Sequence, residues 1–502
     1  VTQLVGALRD ITDSMALQTQ MEHNSLHDSL TGLPNRDLLV DRIDVALIRS
    51  AHERREIAVL FCDLDGFKRV NDIAGHAAGD AVLLQTAQRL QGVLRDGDTV
   101  ARVGGDEFVI VIEPWNRTGG DEELTPEEGT ATDRSMTLMI ADRVAEVVRQ
   151  PITVNGFEHV VTTSIGITHG RIPFSGHNMP ITADDMLQDA DTAMYLAKNR
   201  GKNRLEVYEH GMRAGLTERG RVEQVLRTAL RRLTDPSAND SIANPAVGQP
   251  QFSAAYQPVF HSGDGRLVGF EALARLTDAD GSDIPPELFI SIAEETGIIR
   301  VIGGLMLGMA CHQLATWRSL TPGLAQVTMA VNISALEAQH ASLGDDVRHC
   351  LSVHNLAPAD LILELTETAL LQAANSTLTN LQVLHDQGVG ISIDDFGTGY
   401  ASLRYLATLP VSAVKVDRSF TAGLPGDKMS RKIVLAVAGL AADMELACVV
   451  EGVETESQRA ALPTGVQVQG WLTGRPERPE SLDLRHLVSH GMAAHSRPHR
   501  HP

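Results

Sequence analysis

The second half of the chain repeats one pattern, in which a short apolar run ends in a polar residue and a helical stretch follows. Strands that alternate with helices in this way form parallel sheets. Polar residues at the carboxyl ends of successive parallel strands are typical of the active-site face of a (β/α)8 barrel. We therefore predict a (β/α)8 barrel over residues 252–490, with a ring of polar side chains drawn from Glu271, Asn332, Glu364, Asp394, Asp395, Lys415, Glu451 and Gln469.

Taken alone, each acid of this set is better explained as the N-cap of the helix that follows it. Seven polar strand ends in succession favour a ring instead. Four or five carboxylates that converge would repel one another unless cations lay among them. The pattern therefore predicts a site that binds metal cations.

A second feature lies in the first half of the chain, where the β-prone runs Thr99–Val103 and Phe108–Ile112 flank a pair of glycines. Two glycines predict a tight hairpin turn that lets a ligand approach the backbone closely. Asp106 and Glu107 follow the turn, and adjacent carboxylates suit a Mg²⁺ ion that also binds the phosphates of a nucleotide. An ordinary exposed hairpin is the alternative, and it would be the better explanation if the motif stood alone.

The hairpin does not stand alone, because a buried-strand pattern at residues 58–62 leads directly into Asp63 and Asp65. Residues two apart in a strand share one face of the sheet, so both acids are expected on the same side. A glycine turn follows, with Lys68 as a cation for phosphate, and Asn71 and Asp80 lie in the helical stretch after it.

These segments resemble the GGDEF family of diguanylate cyclases. The same resemblance is carried, in the family's order, by Asp28–Arg36, Ser164–Gly166 and Ala190–Lys198. It covers about residues 25–208 and implies an α/β domain with a central sheet that condenses two GTP molecules into cyclic di-GMP. One domain holds one GTP, so the resemblance also implies a homodimer with two such domains facing each other.

The resemblance assigns a role to each candidate residue of this domain. It implies metal ligands at Asp63, the Leu64 carbonyl, Asp106 and Glu107, of which Asp106 and Glu107 are the catalytic pair. It implies guanine contacts from Asn71 and Asp80, and triphosphate contacts from Lys68, Lys198 and Lys202. Arg95 and Asp98 resemble an inhibitory site that binds the product, since their offset from the hairpin matches the family.

The polar ring stands in motifs that resemble the EAL family of cyclic di-GMP phosphodiesterases, such as Glu271-Ala-Leu273, Asn332-Ile-Ser334 and Glu364-Leu-Thr-Glu367. The resemblance covers about residues 252–490 and implies hydrolysis of cyclic di-GMP to linear pGpG with Mg²⁺, or with Mn²⁺ as an alternative. The implied metal ligands are Glu271, Asn332, Glu364, Asp394, Asp395 and Glu451. The other implied roles are substrate contacts from Gln257, Arg275 and Gln469, catalysis by Lys415 and Glu451, and loop support by Glu367.

The end of the barrel departs from the family in two ways. The spacing from Glu451 to Gln469 is slightly shorter than usual, and Gln467 stands where an acid is usual. These departures concern the last strands and the position of Gln469, and they leave the metal ligands untouched.

Length, charge, cysteine spacing and the length of apolar runs limit the remaining classes of function. A chain of 502 residues has room for two or three domains. A net charge of −21 argues against nucleic-acid polymers and anionic membranes as partners. The four cysteines form no Cys-x-x-Cys pair, which favours reduced thiols in the cytoplasm. No apolar run reaches the length of a membrane span, so we expect no membrane contact by this chain.

Three segments lie outside the two predicted domains. Residues 1–24 resemble the last strand and exit helix of a truncated PAS sensory domain, with a frayed leader helix as the alternative. Residues 209–251 are predicted to be a charged helix, Arg219–Arg232, and a flexible linker. Residues 491–502 are predicted to be a disordered tail. Within the first domain, the polar segment 113–136 is predicted to be a loop without a site.

The sequence thus predicts a cytoplasmic, Mg²⁺-dependent enzyme that makes cyclic di-GMP in one domain and hydrolyses it in the other. One alternative is a phosphodiesterase whose first domain binds GTP as a regulator. A second alternative is a receptor that binds cyclic di-GMP without catalysis. Loss of Glu271, or of Asp106 and Glu107, would favour the receptor, and all three residues are present.

Overall fold

The computed structural model describes residues 25–53, 55–114, 126–154, 156–170, 181–234, 248–371, 373, 375–398, 406 and 409–494. The predicted sensory remnant at 1–24 lies outside these ranges, as do residues 235–247 of the predicted linker. The chain divides into two compact units after Glu218. Within the described ranges, no helix combines the length and the apolar character needed to cross a membrane.

The first unit is built around a five-stranded sheet. Its elements are α1 (Arg36–Glu53), β1 (Ile57–Asp65), α2 (Phe67–Ala74), α3 (His76–Val93), β2 (Thr99–Gly104), β3 (Glu107–Ile112), α4 (Pro126–Arg149), β4 (Ile152–Val154), β5 (Phe157–His159), β6 (Thr162–Gly170), α5 (Ala183–Asn199), β7 (Leu205–Val207) and α6 (Met212–Thr234). The strand order in the sheet is β2-β3-β1-β6-β7, and β4 pairs with β5 in a separate ribbon. Neighbouring strands are antiparallel except for the parallel pair β6 and β7.

The central strand β1 packs helices on both of its faces. Leu60 and Cys62 join an apolar cluster with α3 and α4. Val59 and Phe61 join a second cluster with α1 and α5. Side chains alternate along a strand, so the odd-numbered Asp63 belongs to the face of α5. The predicted α/β domain with a central sheet is confirmed.

Helix α4 corrects the predicted loop over residues 113–136, which is wrong from Pro126 onward. A proline at the first helical position, followed by glutamates at 127 and 128, favours a helix N-terminus. Within the same helix, the buried Asp133 forms an ion pair with Arg55. Residues 115–125 lie outside the described ranges.

The second unit is a closed barrel of eight strands surrounded by helices. Its strands are β8 (Gln251–His261), β9 (Leu267–Thr277), β11 (Thr328–Asn332), β12 (Leu361–Thr366), β13 (Gly390–Phe396), β14 (Ala413–Val416), β15 (Ala447–Val450) and β16 (Gln467–Val468), and the short β10 (Asp283–Ile284) pairs with β9 outside the barrel. Its helices are α7 (Pro286–Thr296), α8 (Ile299–Leu320), α9 (Ala335–Ala338), α10 (Leu343–Val353), α11 (Glu367–Leu371), α12 (Asn375–Asp386), α13 (Arg418–Thr421), α14 (Lys428–Asp443), α15 (Glu456–Ala460) and α16 (Leu484–His490).

The barrel confirms the predicted fold and contains one reversed strand. Strands β9 and β11 to β16 run parallel to one another, whereas β8 is antiparallel to both β9 and β16 and closes the barrel between them. The connection from β8 to β9 spans only residues 262–266. A parallel pair needs a crossover of a dozen residues or more, so this short connection permits only a hairpin.

Both ends of the second unit extend beyond the predicted boundaries. Helix α6 is longer than predicted; only its first residues, 212–218, belong to the first unit, and later residues such as Val222 and Leu226 are buried in the core of the barrel unit. At the other end, residues 491–494 form a turn of 3-10 helix, and Met492 is only 4% exposed in the same core. The predicted disordered tail is therefore wrong for residues 491–494, because Met492 is apolar and finds a buried position. Residues 495–502 lie outside the described ranges.

Candidate functional site

At one end of the barrel, four carboxylates surround one buried lysine. The Lys415 Nζ lies 3.2 Å from Glu271, 2.9 Å from Glu364, 3.4 Å from Asp394 and 2.8 Å from Glu451. The lysine side chain is only 2% exposed. Each of these residues lies in or directly after a parallel strand of the barrel, so the closed sheet brings residues that are distant in sequence to one point.

The carboxylates of this ring are not fully neutralised by the lysine. Burial alone would lower the pKa of Lys415, but the four carboxylates raise it well above its usual value. Burial raises the pKa of Glu364 well above its usual value and that of Glu451 to about 7, although Lys415 opposes both shifts. Glu271 differs, since Lys415, Gln469 and Asn332 outweigh its burial and lower its pKa. One ammonium group therefore leaves excess negative charge in the ring.

Three amide side chains complete the ring. Asn332 donates to Glu271 at 2.6 Å, and the Gln469 Nε2 donates to Glu271 at 2.6 Å and to the Gln257 Oε1 at 3.0 Å. Gln257 in turn donates to the Gly474 carbonyl at 2.9 Å. Gln469 thus reaches the ring despite the shorter spacing after Glu451, because β16 pairs in register with β15.

The oxygen donors of the ring fit a divalent cation. One carboxylate oxygen from each of Asp394, Asp395 and Glu451 lies within 4.8 Å of the others. The buried Gln469 Oε1 has no hydrogen-bond partner among the described residues, so a further oxygen acceptor is available there. Mg²⁺ and Mn²⁺ prefer oxygen ligands of this kind. The donor set therefore suits the cations that the sequence predicts.

Two other predicted residues lie beside the ring. Glu367 is 3% exposed and accepts a hydrogen bond from the Gly397 amide at 2.9 Å, so it holds the backbone just after Asp395, which has a left-handed φ of 55°. Arg275 follows Glu271 on β9 and donates to the Ala274 carbonyl at 2.8 Å. Residues 399–405 of the predicted supported loop lie outside the described ranges.

In the first unit, the predicted hairpin and the central strand form a second acidic site. Register places Glu107 on β3 directly opposite Asp63 on β1, and the Leu64 amide donates to the Asp106 carbonyl at 3.3 Å. The Lys198 Nζ of α5 lies 2.6 Å from the Asp63 carboxylate. The sheet and one helix therefore bring together five residues of the predicted metal and triphosphate site.

The acids of this site repel one another. Burial raises the pKa of Asp63, and the charge of Asp106 adds to this effect while Lys198 opposes it. Burial also raises the pKa of Glu107, with further contributions from Asp63, Asp191 and Asp106. Asp191 is not among the predicted site residues. The sequence did contain a signal for it, since Asp191 and Lys198 are two helical turns apart and so share one face of α5.

Asp65, the second acid of the strand, is occupied by hydrogen bonds. Its carboxylate accepts hydrogen bonds from the Thr162 hydroxyl at 2.9 Å, from the Ser164 hydroxyl at 2.8 Å and from the Asn203 backbone amide at 3.0 Å. The last bond anchors the turn that carries the exposed Lys202, which has a left-handed φ of 60°. Asp65 therefore holds the turn that positions Lys202, one of the predicted triphosphate contacts.

The predicted guanine contacts lie on two helices that meet at a glycine. Asn71 is half-buried on α2, and Asp80 is exposed on α3. Gly75, with a φ of +83°, separates the two helices, and its amide donates to the Asn71 carbonyl. Lys68 is exposed on the first turn of α2.

The predicted inhibitory pair is engaged with its own loop. Arg95 donates to Asp98 at 3.2 Å and also bonds the carbonyls of Glu113 and Pro114. The Asp98 side chain is only 2% exposed. A ligand at this site would have to replace some of these contacts of Arg95.

A network that the sequence did not predict fixes the hairpin turn. The Asp28 carboxylate accepts from Thr31 and from Arg102, the latter at 3.0 Å. Arg102 also donates to the Gly105 carbonyl in the turn, at 3.1 and 2.6 Å. Burial would raise the pKa of Asp28, but the hydrogen bonds from Thr31 and Arg102 lower it below its usual value. The turn that precedes Asp106 and Glu107 is therefore held by a charged chain of hydrogen bonds.

We expect an Asp28→Ala variant to loosen this turn. Hydrogen bonds to charged groups contribute roughly 1.5–3 kcal/mol to stability, so the first unit should unfold more easily by about that amount. Any reaction that uses Asp106 and Glu107 should slow by roughly tenfold or more, because small displacements of reacting groups are costly. Urea unfolding and a rate assay measure the two effects. The exposed Asp44→Ala on α1 is the matched control, and equal behaviour of the two variants would contradict the role of the network.

Comparison with known proteins gives two family matches. The model of the diguanylate cyclase GGDEF domain matches residues 25–204, and that of the EAL domain matches residues 241–476. The chain is 39% identical over 460 residues to the bifunctional diguanylate cyclase/cyclic di-GMP phosphodiesterase MucR of Pseudomonas aeruginosa, covering 91% of this chain and 61% of that protein. It is 30% identical over 477 residues to an uncharacterized protein of Mycobacterium tuberculosis, covering 95% of this chain and 70% of that protein.

Among solved structures, the chain is similar to one described as the PaMucR phosphodiesterase in complex with c-di-GMP, with 41% sequence identity and a TM-score of 0.46. The similarity covers 52% of this chain and 98% of the chain in that structure. The chain spans little more than half the length of most of the first curated relatives it matches.

Proposed function

The chain belongs to the proteins that carry a GGDEF and an EAL domain in tandem, and from this membership we propose that it both makes and degrades cyclic di-GMP. The first unit condenses two GTP molecules, and the second hydrolyses the product to pGpG. The observation that carries the proposal is the ring around Lys415, together with the cluster around Asp63, because each brings acidic and basic side chains together at one point. The bifunctional description of MucR supports it by similarity.

In the second unit, the side chains of the ring hold and orient the phosphodiester. Glu271, Asn332, Glu364, Asp394, Asp395 and Glu451 would hold divalent cations, which would supply Lewis-acid chemistry at phosphorus. Lys415 directs its N–H donors towards the attacking water and the negative charge that develops on the phosphoryl group. Glu451, which contacts the Lys415 ammonium at 2.8 Å, would act together with Lys415 on the attacking water.

The remaining residues of the second unit position the substrate. Arg275 contacts a phosphate of cyclic di-GMP, since a guanidinium group bonds phosphate in a bidentate manner. Gln257 and Gln469, which are joined by a hydrogen bond within the ring, contact the substrate. Glu367 keeps the backbone after Asp395 in place through Gly397.

In the first unit, the hairpin and the lysines act on GTP. Asp63, the Leu64 carbonyl, Asp106 and Glu107 would hold a divalent cation, which would neutralise triphosphate charge. Glu107, whose pKa is raised, accepts the proton of the attacking 3′-hydroxyl group. Lys68, Lys198 and Lys202 bind the triphosphate, Asn71 and Asp80 read guanine, and Arg95 with Asp98 binds the product as an inhibitor.

The condensation requires two copies of the first unit. Each copy holds one GTP, so each 3′-hydroxyl group attacks the α-phosphorus of the GTP in the other copy across a homodimer, and each GTP releases one pyrophosphate. We place both reactions in the cytoplasm, where GTP is available and the four free cysteines stay reduced.

The proposal is tested by a time course with purified protein and Mg²⁺, started in parallel from GTP and from cyclic di-GMP, with GTP, cyclic di-GMP and pGpG resolved by chromatography. We expect GTP to fall, cyclic di-GMP to appear transiently and pGpG to accumulate. Consumption of cyclic di-GMP with untouched GTP would replace the proposal by a phosphodiesterase with a regulatory first unit. Binding of cyclic di-GMP without consumption of either compound would replace it by a receptor.

A further inference from the structure

We infer that Gly79 determines the base specificity of the first unit, because it leaves room for the side chain that reads guanine. The inference rests on the proposed function, in which Asn71 and Asp80 contact the guanine of GTP. It adds a residue that makes no contact with the nucleotide itself and acts through Asn71.

Gly79 is buried on α3 and faces the side chain of Asn71 on α2. A Cβ atom at position 79 would overlap the Asn71 Oδ1 and would lie 3.0 Å from its Cγ and 3.2 Å from the Phe67 Cζ. Non-bonded carbon atoms pack at about 3.5–4.0 Å, so the Asn71 amide occupies the volume that an alanine side chain would need. Any larger residue at position 79 must displace the Asn71 side chain.

The turn between the helices creates this close approach. The Gly75 amide donates to the Asn71 carbonyl at 2.9 Å, and the Gly79 amide donates to the Gly75 carbonyl at 3.3 Å. The first turn of α3 therefore begins directly at the end of α2, and Gly79 reaches the Asn71 side chain. Asp80 follows Gly79 in the chain, so the position of α3 sets both predicted guanine contacts.

A glycine inside a helix normally costs stability, about 0.8–1.0 kcal/mol relative to alanine. Gly92 lies on the same helix without this steric constraint, since a Cβ atom there would meet none of the described residues within 4 Å. Alanine should therefore leave its surroundings unchanged at 92 and should displace the Asn71 amide at 79. The two glycines provide a matched pair of substitutions on one helix.

The test is the binding of the α,β-methylene analogues of GTP and ATP to the full chain with Mg²⁺, measured by titration calorimetry. The two analogues share the triphosphate and differ in the base. For Gly79→Ala we expect the affinity for the GTP analogue to fall by roughly tenfold or more, because a hydrogen-bonding site loses selectivity when its donor moves. The affinity for the ATP analogue should change by less than about twofold, since it depends on the lysines. Gly92→Ala should retain the selectivity of the wild type.

Two further results decide whether Gly79 acts through Asn71. In an Asn71→Ala background the added Cβ atom no longer meets the amide, so Gly79→Ala should have less than about a twofold further effect on the GTP analogue. This double variant also relieves the overlap and tests the inference even if Gly79→Ala alone folds poorly. A similar loss for both analogues, or an equal loss in the Asn71→Ala background, would overturn the inference and leave Gly79 a packing residue.

The outcomes also separate this inference from the proposed function. If Gly79→Ala binds the GTP analogue as the wild type does, the inference is wrong and the proposed GTP site stands. If the wild type does not prefer the GTP analogue to the ATP analogue, guanine is not read, and both the proposed site and the inference are overturned.

Discussion

A Lys415→Met variant should lose cyclic di-GMP hydrolysis and should unfold more easily in the absence of divalent cations. Methionine keeps an unbranched apolar side chain but removes the charge that contacts all four carboxylates. Breaking a buried ion pair by removing one partner costs about 3–5 kcal/mol, because the other partner is left uncompensated. The loss should be confined to the second unit, and hydrogen exchange in β12 and β14 is the measurement that assigns it there.

Added Mg²⁺ should restore much of the stability of this variant without restoring hydrolysis. A divalent cation that binds only the folded state stabilises it by mass action. Without the Lys415 charge, the ring has a larger excess of negative charge for the cation to neutralise. The gain in unfolding free energy between chelator and Mg²⁺ should therefore be larger for Lys415→Met than for the wild type. The exposed Lys428→Met on α14 is the control, with no change expected. Equal stability of both variants in chelator would mean that Lys415 does not compensate the ring.

The sequence was sufficient to predict which residues form the ring, because each of them lies at or near the end of an apolar run. Its centre was not predictable, since the contact of Lys415 with Glu271 joins positions 144 residues apart. The residue that lies innermost, and its degree of burial, follow from closure of the whole barrel. Sequence spacing along single strands carries no information on that closure.

The reversed strand β8 had a local signal that the barrel pattern obscured. Gly263, Asp264 and Gly265 lie between β8 and β9, and glycine with aspartate between two β-prone runs is typical of a hairpin. Strand β8 also has no acid at its end, so it does not belong to the repeated pattern. The antiparallel register, Gln257 opposite Glu271, then follows from the short connection.

The first unit shows the same division between local and distant information. The hairpin was predicted with nearly correct bounds, because glycines between two β-prone runs are a local feature. The contact between Asp28 and Arg102 joins residues 74 apart, and Arg102 is one of many charged residues in the sequence. Such networks depend on the packing of strands that only the tertiary fold brings together.

The double variant Asp106→Ala with Glu107→Ala should abolish cyclic di-GMP synthesis, leave hydrolysis intact and leave the first unit at least as stable as before. Burial and the neighbouring carboxylates raise the pKa of Glu107, so the native site keeps acids close together at a cost in stability. Removing two of them relieves repulsion with Asp63, and relief of a strained active site commonly gains about 0.5–2 kcal/mol. Synthesis and hydrolysis are measured separately, from GTP and from cyclic di-GMP.

The exposed acids Asp142 and Glu146 on α4 provide a matched control, since Asp142→Ala with Glu146→Ala removes the same charges from the same unit. This control should retain both activities. Synthesis that survives in the Asp106 and Glu107 variant would remove the hairpin from the mechanism. Loss of hydrolysis in the same variant would contradict the independence of the two reactions, because Asp106 and Glu107 lie in the first unit and the Lys415 ring lies entirely in the second.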